Sequence, residues 1–293
     1  MEDYLLKTLA YDGQLRIYAA KTTNLVQEAQ RLHDTWSTAT AAFGRTLTGT
    51  ALLSAALLKG SGKLTVRVQG DGPVGAIIAD GDANGQVKGY LHHPHVELAL
   101  NSQHKIDVKG AVGKKGFLTI TKDLGLKTPF TGQVPLVSGE LGEDFTYYLA
   151  KSEQIPSAVG VSVFVEPDQS VITAGGFLVQ VLPGATEKNL VEMENTLKKM
   201  PSISEIMARD QHPETLIKYL SAETKVKELE KVQLKYFCDC SKERFAKALA
   251  SIASADLQKL IEDDRQAEAV CQFCGKKYHF NKTELQKLQA KNS

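Results

Sequence analysis

Hydrophobic and polar residues follow two different periods along this chain, and the changes of period divide it. Two short strand-like runs, Leu5 to Ala10 and Leu15 to Ala19, flank Tyr11-Asp12-Gly13-Gln14, which predicts a hairpin over residues 4–20. The spacing then lengthens. Leu25, Ala29, Leu32 and Trp36 recur at helical intervals behind Asn24, and the run Ala39 to Lys59 is rich in Ala, Leu, Gly and Thr on all sides, the composition of a helix buried against a sheet. From Leu64 the period falls to two: Leu64–Val68, Gly75–Ala79, Gln86–Leu91 and Gly116–Thr121 read as strands between Gly- and Asp-rich turns. A turn-rich strand near Pro129 to Gly139, a short helix over Glu140 to Leu149, and a closing hairpin of Val159–Val165 and Val171–Leu182 complete this part, which Pro183-Gly184 ends.

The pattern changes again at residue 185. Leu190, Met193, Leu197 and Met200 mark one face of a helix behind Thr186, Ser202-Ile203-Ser204-Glu205 is a capping box, and Pro213 can open a helix carrying Leu216, Ile217 and Leu220. Short helices of this kind hold only while their apolar stripes are packed on something else. The methionine stripe Met193, Met200, Met207 reads first as such packing, although methionine faces also suit promiscuous binding. Val232, Leu234 and Tyr236 alternate into Cys238. Ser241 and Ser254 can each cap a helix, Tyr278-His279-Phe280 forms a strand, and Asn281-Lys282-Thr283-Glu284 is a second capping box. The expected fold class is therefore α+β: a mixed-sheet core packed with helices over residues 1–183, a helical linker over 184–231, and a small C-terminal module over 232–293.

Composition narrows the function. Among 293 residues, 42% are hydrophobic, enough for a real core, and 35 Lys+Arg balance 34 Asp+Glu, so no strong field attracts nucleic acid or anionic membrane. Met1-Glu2-Asp3-Tyr4 lacks the basic and apolar regions of a secretion signal and no stretch is fit to span a bilayer. A cytoplasmic location with reduced cysteines is expected.

The chemistry lies in the four cysteines, Cys238-Asp239-Cys240 and Cys271-Gln272-Phe273-Cys274, separated by thirty residues. Two close pairs with none left over supply the four thiolates of a tetrahedral Zn²⁺ site. An ordinary zinc ribbon uses two CxxC knuckles, whereas the first pair here has a single spacer and a tighter turn. Zinc-bound thiolates are also the form that oxidants attack, so spacing alone leaves a structural staple and a redox switch both open, with the staple the commoner use of such sites. About sixty residues of this composition rarely fold without a staple.

Other motifs fail on context. Gly70-Asp71-Gly72-Pro73-Val74-Gly75 spells a dinucleotide fingerprint but leads into a strand, so no helix N-terminus would meet a pyrophosphate. No Asp, Glu or Cys sits at a complementary spacing to His92-His93-Pro94-His95, and Pro94 splays the imidazoles. His279 is a conceivable substitute ligand that four cysteines make unnecessary. No catalytic constellation is present, and the chain does not read as an enzyme.

Phe237-Cys238-Asp239-Cys240-Ser241-Lys242-Glu243-Arg244, Val270-Cys271-Gln272-Phe273-Cys274 and the following Tyr278 and Phe280 resemble the zinc module of the bacterial 33 kDa heat-shock chaperonin family, the redox-switched holdases. Gly70–Gly75, Phe130-Thr131-Gly132-Gln133-Val134-Pro135, Ile155-Pro156-Ser157-Ala158-Val159-Gly160 and Ala174-Gly175-Gly176-Phe177 are similar to that family's N-terminal domain, and the resemblance turns the balance towards the switch. It implies an inactive reduced form with zinc on Cys238, Cys240, Cys271 and Cys274. Oxidation would then link Cys238 to Cys240 and Cys271 to Cys274, expel zinc, unfold the C-terminal module and loosen the linker. The exposed apolar faces would hold unfolding client proteins without ATP, often as a dimer. The rival reading is a constitutive zinc-ribbon module binding RNA or a translation partner through Lys276, Lys277, Lys282, Lys287 and Lys291; eleven Lys+Arg against eight Asp+Glu in the last 59 residues are too mild a bias to favour it. A disulfide oxidoreductase is a third option that context disfavours.

Overall fold

Residues 4–21 form the expected hairpin, β1 (Tyr4–Ala10) and β2 (Leu15–Lys21), turned at Tyr11, Asp12 and Gly13 by φ values of 51°, 55° and 81°. The computed structural model describes residues 2–252, 254–264 and 266–290. Helix α1 (Thr23–His33) stops before Trp36, because Asp34 turns left-handed at φ 51°, and Trp36 instead precedes α2 (Ser37–Leu57). The anticipated Asn24 cap is replaced from a distance: the Asp3 carboxylate accepts the Leu25 N–H at 2.7 Å and meets Lys21 Nζ at 3.2 Å, both side chains being buried.

Helix α2 is the centre of the larger body. Three of its hydroxyls are satisfied within the helix: Thr46, Thr48 and Thr50 donate to the carbonyls of Ala42, Gly44 and Thr46 at 2.8–2.9 Å, which lets this threonine-rich stretch lie buried. Gly44 admits Val26 and Val163, and Gly49 admits the Phe145 ring, closer than any Cβ would allow.

On one side of α2 lie β3 (Lys63–Gln69), β4 (Ala76–Asp82) and β5 (Gln86–Leu91). Beyond a loop carrying the short helix α3 (Val108–Val112), β6 (Phe117–Asp123) and β7 (Phe130–Pro135) extend that sheet antiparallel. Helix α4 (Gly142–Lys151) follows, then β8 (Ser157–Val165) and β9 (Val171–Val181), which pack with β2 on the other side of α2. The linker helices α5 (Glu187–Lys199), α6 (Ile203–Arg209) and α7 (Pro213–Ser221) occupy the outer face of this second sheet. There Met193, Ile206, Met207, Leu216, Ile217 and Leu220 cover Leu6, Ile17, Phe177 and Val179. The capping box of α6 is present: Ser202 Oγ accepts the Glu205 N–H, and the Glu205 carboxylate accepts the Ser202 N–H at 2.9 Å. The Ser202 hydroxyl holds the Glu205 carboxyl below its ordinary range, so this cap is intact at neutral pH and lost as acid protonates it.

The last part of the expected linker is not helical. Lys227–Gln233 form β10, an edge strand antiparallel to β1, and Lys235–Tyr236 form β11, parallel to β5. The first sheet therefore runs β10-β1-β2-β9-β8 and the other β11-β5-β4-β3-β6-β7. Strand β10 reads Lys-Glu-Leu-Glu-Lys-Val-Gln and is almost wholly exposed; backbone pairing with β1 holds it, with Glu230 3.6 Å from Lys7 and Lys231 over the Tyr4 ring, so little apolar alternation announces it. Tyr236 fixes β11, its Oη donating to the Gly89 carbonyl at 2.8 Å and lying 3.1 Å from His33 Nε2.

The chain divides into two compact units, Met1–Phe237 and Cys238–Ser293, so the segment 232–237 expected to open the C-terminal module belongs to the larger unit. The smaller unit contains α8 (Lys242–Ala250), α9 (Ser254–Lys259) running into a π-helical turn (Leu260–Asp264), the hairpin β12 (Gln266–Val270) and β13 (Lys277–Asn281), and α10 (Lys282–Ala290). Among the described residues its fully apolar core is small: Leu257, Ile261, Tyr278, Phe280 and Leu285.

Candidate metal centre

All four cysteines come together at one end of this small unit. Cys238 and Cys240 precede α8, whose cap Ser241 accepts the Arg244 N–H, and Cys271 and Cys274 lie in the turn between β12 and β13. That turn is a knuckle: the Gly275 N–H donates to the Cys271 carbonyl at 2.8 Å and the Cys271 N–H to the Lys276 carbonyl at 2.9 Å, with Gly275 at φ 70°. The only glycine of the knuckle thus occupies its left-handed position.

The four sulfurs lie within 4.8 Å of one another, Cys238 Sγ 3.6 Å from Cys271 Sγ and Cys240 Sγ 3.4 Å from Cys274 Sγ. All four are free thiols. Four sulfurs about 2.3 Å from a central ion would stand about 3.8 Å apart, so this set fits a tetrahedral cation, and an all-sulfur donor set suits a soft or borderline one. The four cysteines can therefore hold a metal ion.

Burial raises the Cys238 and Cys274 thiols. Burial pushes Cys240 the same way, but the hydroxyl of Tyr278 and the neighbouring thiols donate to its sulfur and bring it down to about 7. Metal uptake must displace the protons of Cys238 and Cys274, so apparent affinity should fall steadily as pH is lowered.

Tyr278 is the residue that sequence reading placed merely in a strand. Its hydroxyl bridges the Cys240 carbonyl at 2.9 Å and the Cys240 sulfur at 3.2 Å, while its ring packs 5.1 Å from Phe245. An aromatic residue with a polar tip just after a cysteine knuckle was the available signal. Removing this donor in Tyr278→Phe should weaken metal binding on the order of tenfold with the module still folded, as measured by competition with a chromogenic chelator.

The other candidate motifs sit elsewhere. His279 projects from β13 towards Glu268, 3.5 Å away and largely exposed, and does not join the sulfurs. His92, His93 and His95 are exposed, with His95 3.0 Å from Asp34; among the described residues only the cysteines form a metal-competent group. The Gly70–Gly75 loop joins β3 to β4, as its context predicted, and Gly70 and Gly72 lie against the Val112 and Ala111 carbonyls where a Cβ would collide. Of the lysines in the rival reading, Lys277 pairs with Glu268 at 3.0 Å and Lys276 lies 5.5 Å over the Tyr278 ring, while Lys291 is outside the described residues.

A two-sheet α+β body followed by a compact module with four clustered cysteines defines a class of two-unit proteins with a metal-competent cysteine module. This chain belongs to the Hsp33 protein family, whose model matches residues 3–281. It is 59% identical over 290 residues to the 33 kDa chaperonin of Latilactobacillus sakei subsp. sakei, covering 99% of each chain. It is 55% identical to the 33 kDa chaperonin of Lactiplantibacillus plantarum over 292 residues, covering 100% of this chain and 99% of that one. The crystal structure of the 33 kDa chaperonin (heat shock protein 33 homologue) from Thermotoga maritima superposes with a TM-score of 0.89 at 36% identity, over 99% of this chain and 98% of that one. No helix among the described residues is long and apolar enough to cross a membrane.

Proposed function

We propose that this protein is a chaperone of the holdase kind, ATP-independent and switched on by oxidation of its four cysteines. The observation that carries the reading is the convergence of all four sulfurs in a module whose own apolar core is small. Zinc, when bound to Cys238, Cys240, Cys271 and Cys274, would hold the sulfurs as thiolates and tie the two knuckles together.

Activation is assigned to the pairs Cys238–Cys240 and Cys271–Cys274. In each pair two thiolates give up two electrons and a sulfur–sulfur bond forms, while the O–O bond of hydrogen peroxide breaks and takes up two protons from solvent to give two waters. Each disulfide closes a very small loop, so neither restricts the unfolded chain much nor links one knuckle to the other. The opposite pairing, Cys238 to Cys271 and Cys240 to Cys274, joins the sulfurs that stand 3.6 and 3.4 Å apart and would keep the knuckles fastened. The pairing therefore decides whether oxidation releases the module or locks it.

Residues 184–231 then act as the responsive segment. Helices α5, α6 and α7 are short, and their apolar faces lie on the outer face of the β1-β2-β9-β8 sheet, so undocking them uncovers both surfaces for an unfolding client. The coupling runs along the chain through β10 and β11, which are edge strands immediately before Cys238. Cytoplasmic residence and dimerisation of the active form belong to the same proposal.

The test is aggregation of a heat-denatured client, followed by light scattering, in the presence of zinc-loaded reduced protein or peroxide-treated protein. Suppression by the oxidised form alone is the expected outcome, and equal suppression by both would remove the switch. Nucleic-acid binding that is steeply salt-dependent and survives oxidation would favour the zinc-ribbon reading instead.

A further inference from the structure

Apart from Met1, every methionine of the chain lies in the linker: Met193 and Met200 at α5 and its C-terminus, Met207 on α6. All three point into the layer between the linker helices and the outer face of the sheet. Met193 and Met207 are 5% and 1% exposed, whereas Met200 is only partly buried. The seat of Met207 is specific. Its terminal methyl lies where a Cβ on Gly175 of β9 would come within 2.9 Å, and Ile203 one turn earlier fills the matching notch at Gly160 of β8. The seven-residue α6 thus docks with the Met207 methyl over Gly175 and with Ile203, beside the Phe177 ring, over Gly160.

We propose that Met193, Met200 and Met207 form a second oxidant-responsive site, in which conversion of the thioethers to sulfoxides undocks the linker independently of the cysteines. The oxidant is a two-electron oxygen donor such as hypochlorous acid. The thioether sulfur gives up two electrons and gains an S=O bond, the O–Cl bond breaks, and chloride and a proton leave. Met200 is reached directly from solvent. Met193 and Met207 are reached as the short helices open, which elements of this length do readily.

Once formed, a sulfoxide is polar and bulkier, and among the apolar side chains of this layer its oxygen is desolvated without a partner. Reclosure is then disfavoured on the order of tenfold to a hundredfold, the cost of leaving a buried acceptor unpaired. The linker would therefore stay open after the cysteines are reduced again, and only a methionine sulfoxide reductase would reset it.

The experiment uses the full chain treated with hypochlorous acid and then with dithiothreitol and Zn²⁺, so that thiol and zinc contents return to those of untreated protein. Hydrogen exchange over residues 187–221 and peptide mass spectrometry are then read. Sulfoxide at the three positions with exchange raised at least about tenfold is expected. It should return to baseline on adding methionine sulfoxide reductases and be absent in a Met193→Leu, Met200→Leu, Met207→Leu variant, whose substitutions conserve volume. Sulfoxides present without raised exchange, or no sulfoxide at doses that oxidise all four cysteines, would overturn the proposal. Because the thiols are restored before the reading, either result leaves the cysteine switch untouched.

Discussion

Stripping the metal from the reduced protein should unfold residues 238–293 and leave the α2-centred core of the larger unit folded. The apolar core of the module, Leu257, Ile261, Tyr278, Phe280 and Leu285, is too small to offset the ordering of some fifty residues. A thiolate-bound zinc contributes an apparent ~10–16 kcal/mol in peptides of this kind, as much as or more than the whole stability of an ordinary domain. The larger unit has its own core around α2, with Leu47, Leu52, Leu53, Phe145 and Leu178 fully buried, and owes nothing to the sulfurs. Exchange after addition of a strong chelator should therefore show amide protection lost at Tyr278 and Phe280 and kept through α2 and strands β2 to β9. Protection that persists in both units would mean that the module holds itself together.

The second large effect concerns the linker. Ile206 and Leu216 are only 1% and 0% exposed between the linker helices and the sheet, and truncating each to alanine should cost about 2–5 kcal/mol of docking. Elements as short as α6 and α7 cannot absorb such a loss, so Ile206→Ala together with Leu216→Ala should open the linker in zinc-loaded, reduced protein. Limited proteolysis should then cut within residues 187–221, and client aggregation should be suppressed without oxidant. A doubly substituted protein that is cut there but holds no client would separate linker opening from client capture and place the capture surface elsewhere.

How much of this was legible beforehand follows from where each determinant lies. The cysteine pairs, the Ser202 capping box and the buried composition of α2 are local patterns, and each led to the right element. The cap on α1 is not local: it comes from Asp3, more than twenty residues earlier and across a hairpin, so Asn24 was the natural but mistaken choice. Strand β10 was hidden up to Val232 for the opposite reason, because pairing with β1 holds it while most of its side chains are exposed and residues 227–231 carry no apolar period. The role of Tyr278 lay between these cases. Its residue type was suggestive, but only the folded hairpin brings the hydroxyl to Cys240.

The central claim concerns which sulfurs join when the protein switches on, and one measurement tests it directly. Bound zinc, free thiols and disulfide-linked peptides would be counted on the same samples used for client holding, at increasing peroxide. The account predicts one zinc and four thiols per chain at rest, and full activity only where both have gone and Cys238–Cys240 and Cys271–Cys274 peptides have appeared. Full activity with zinc and all four thiols retained, or with Cys238 bonded to Cys271, would contradict it.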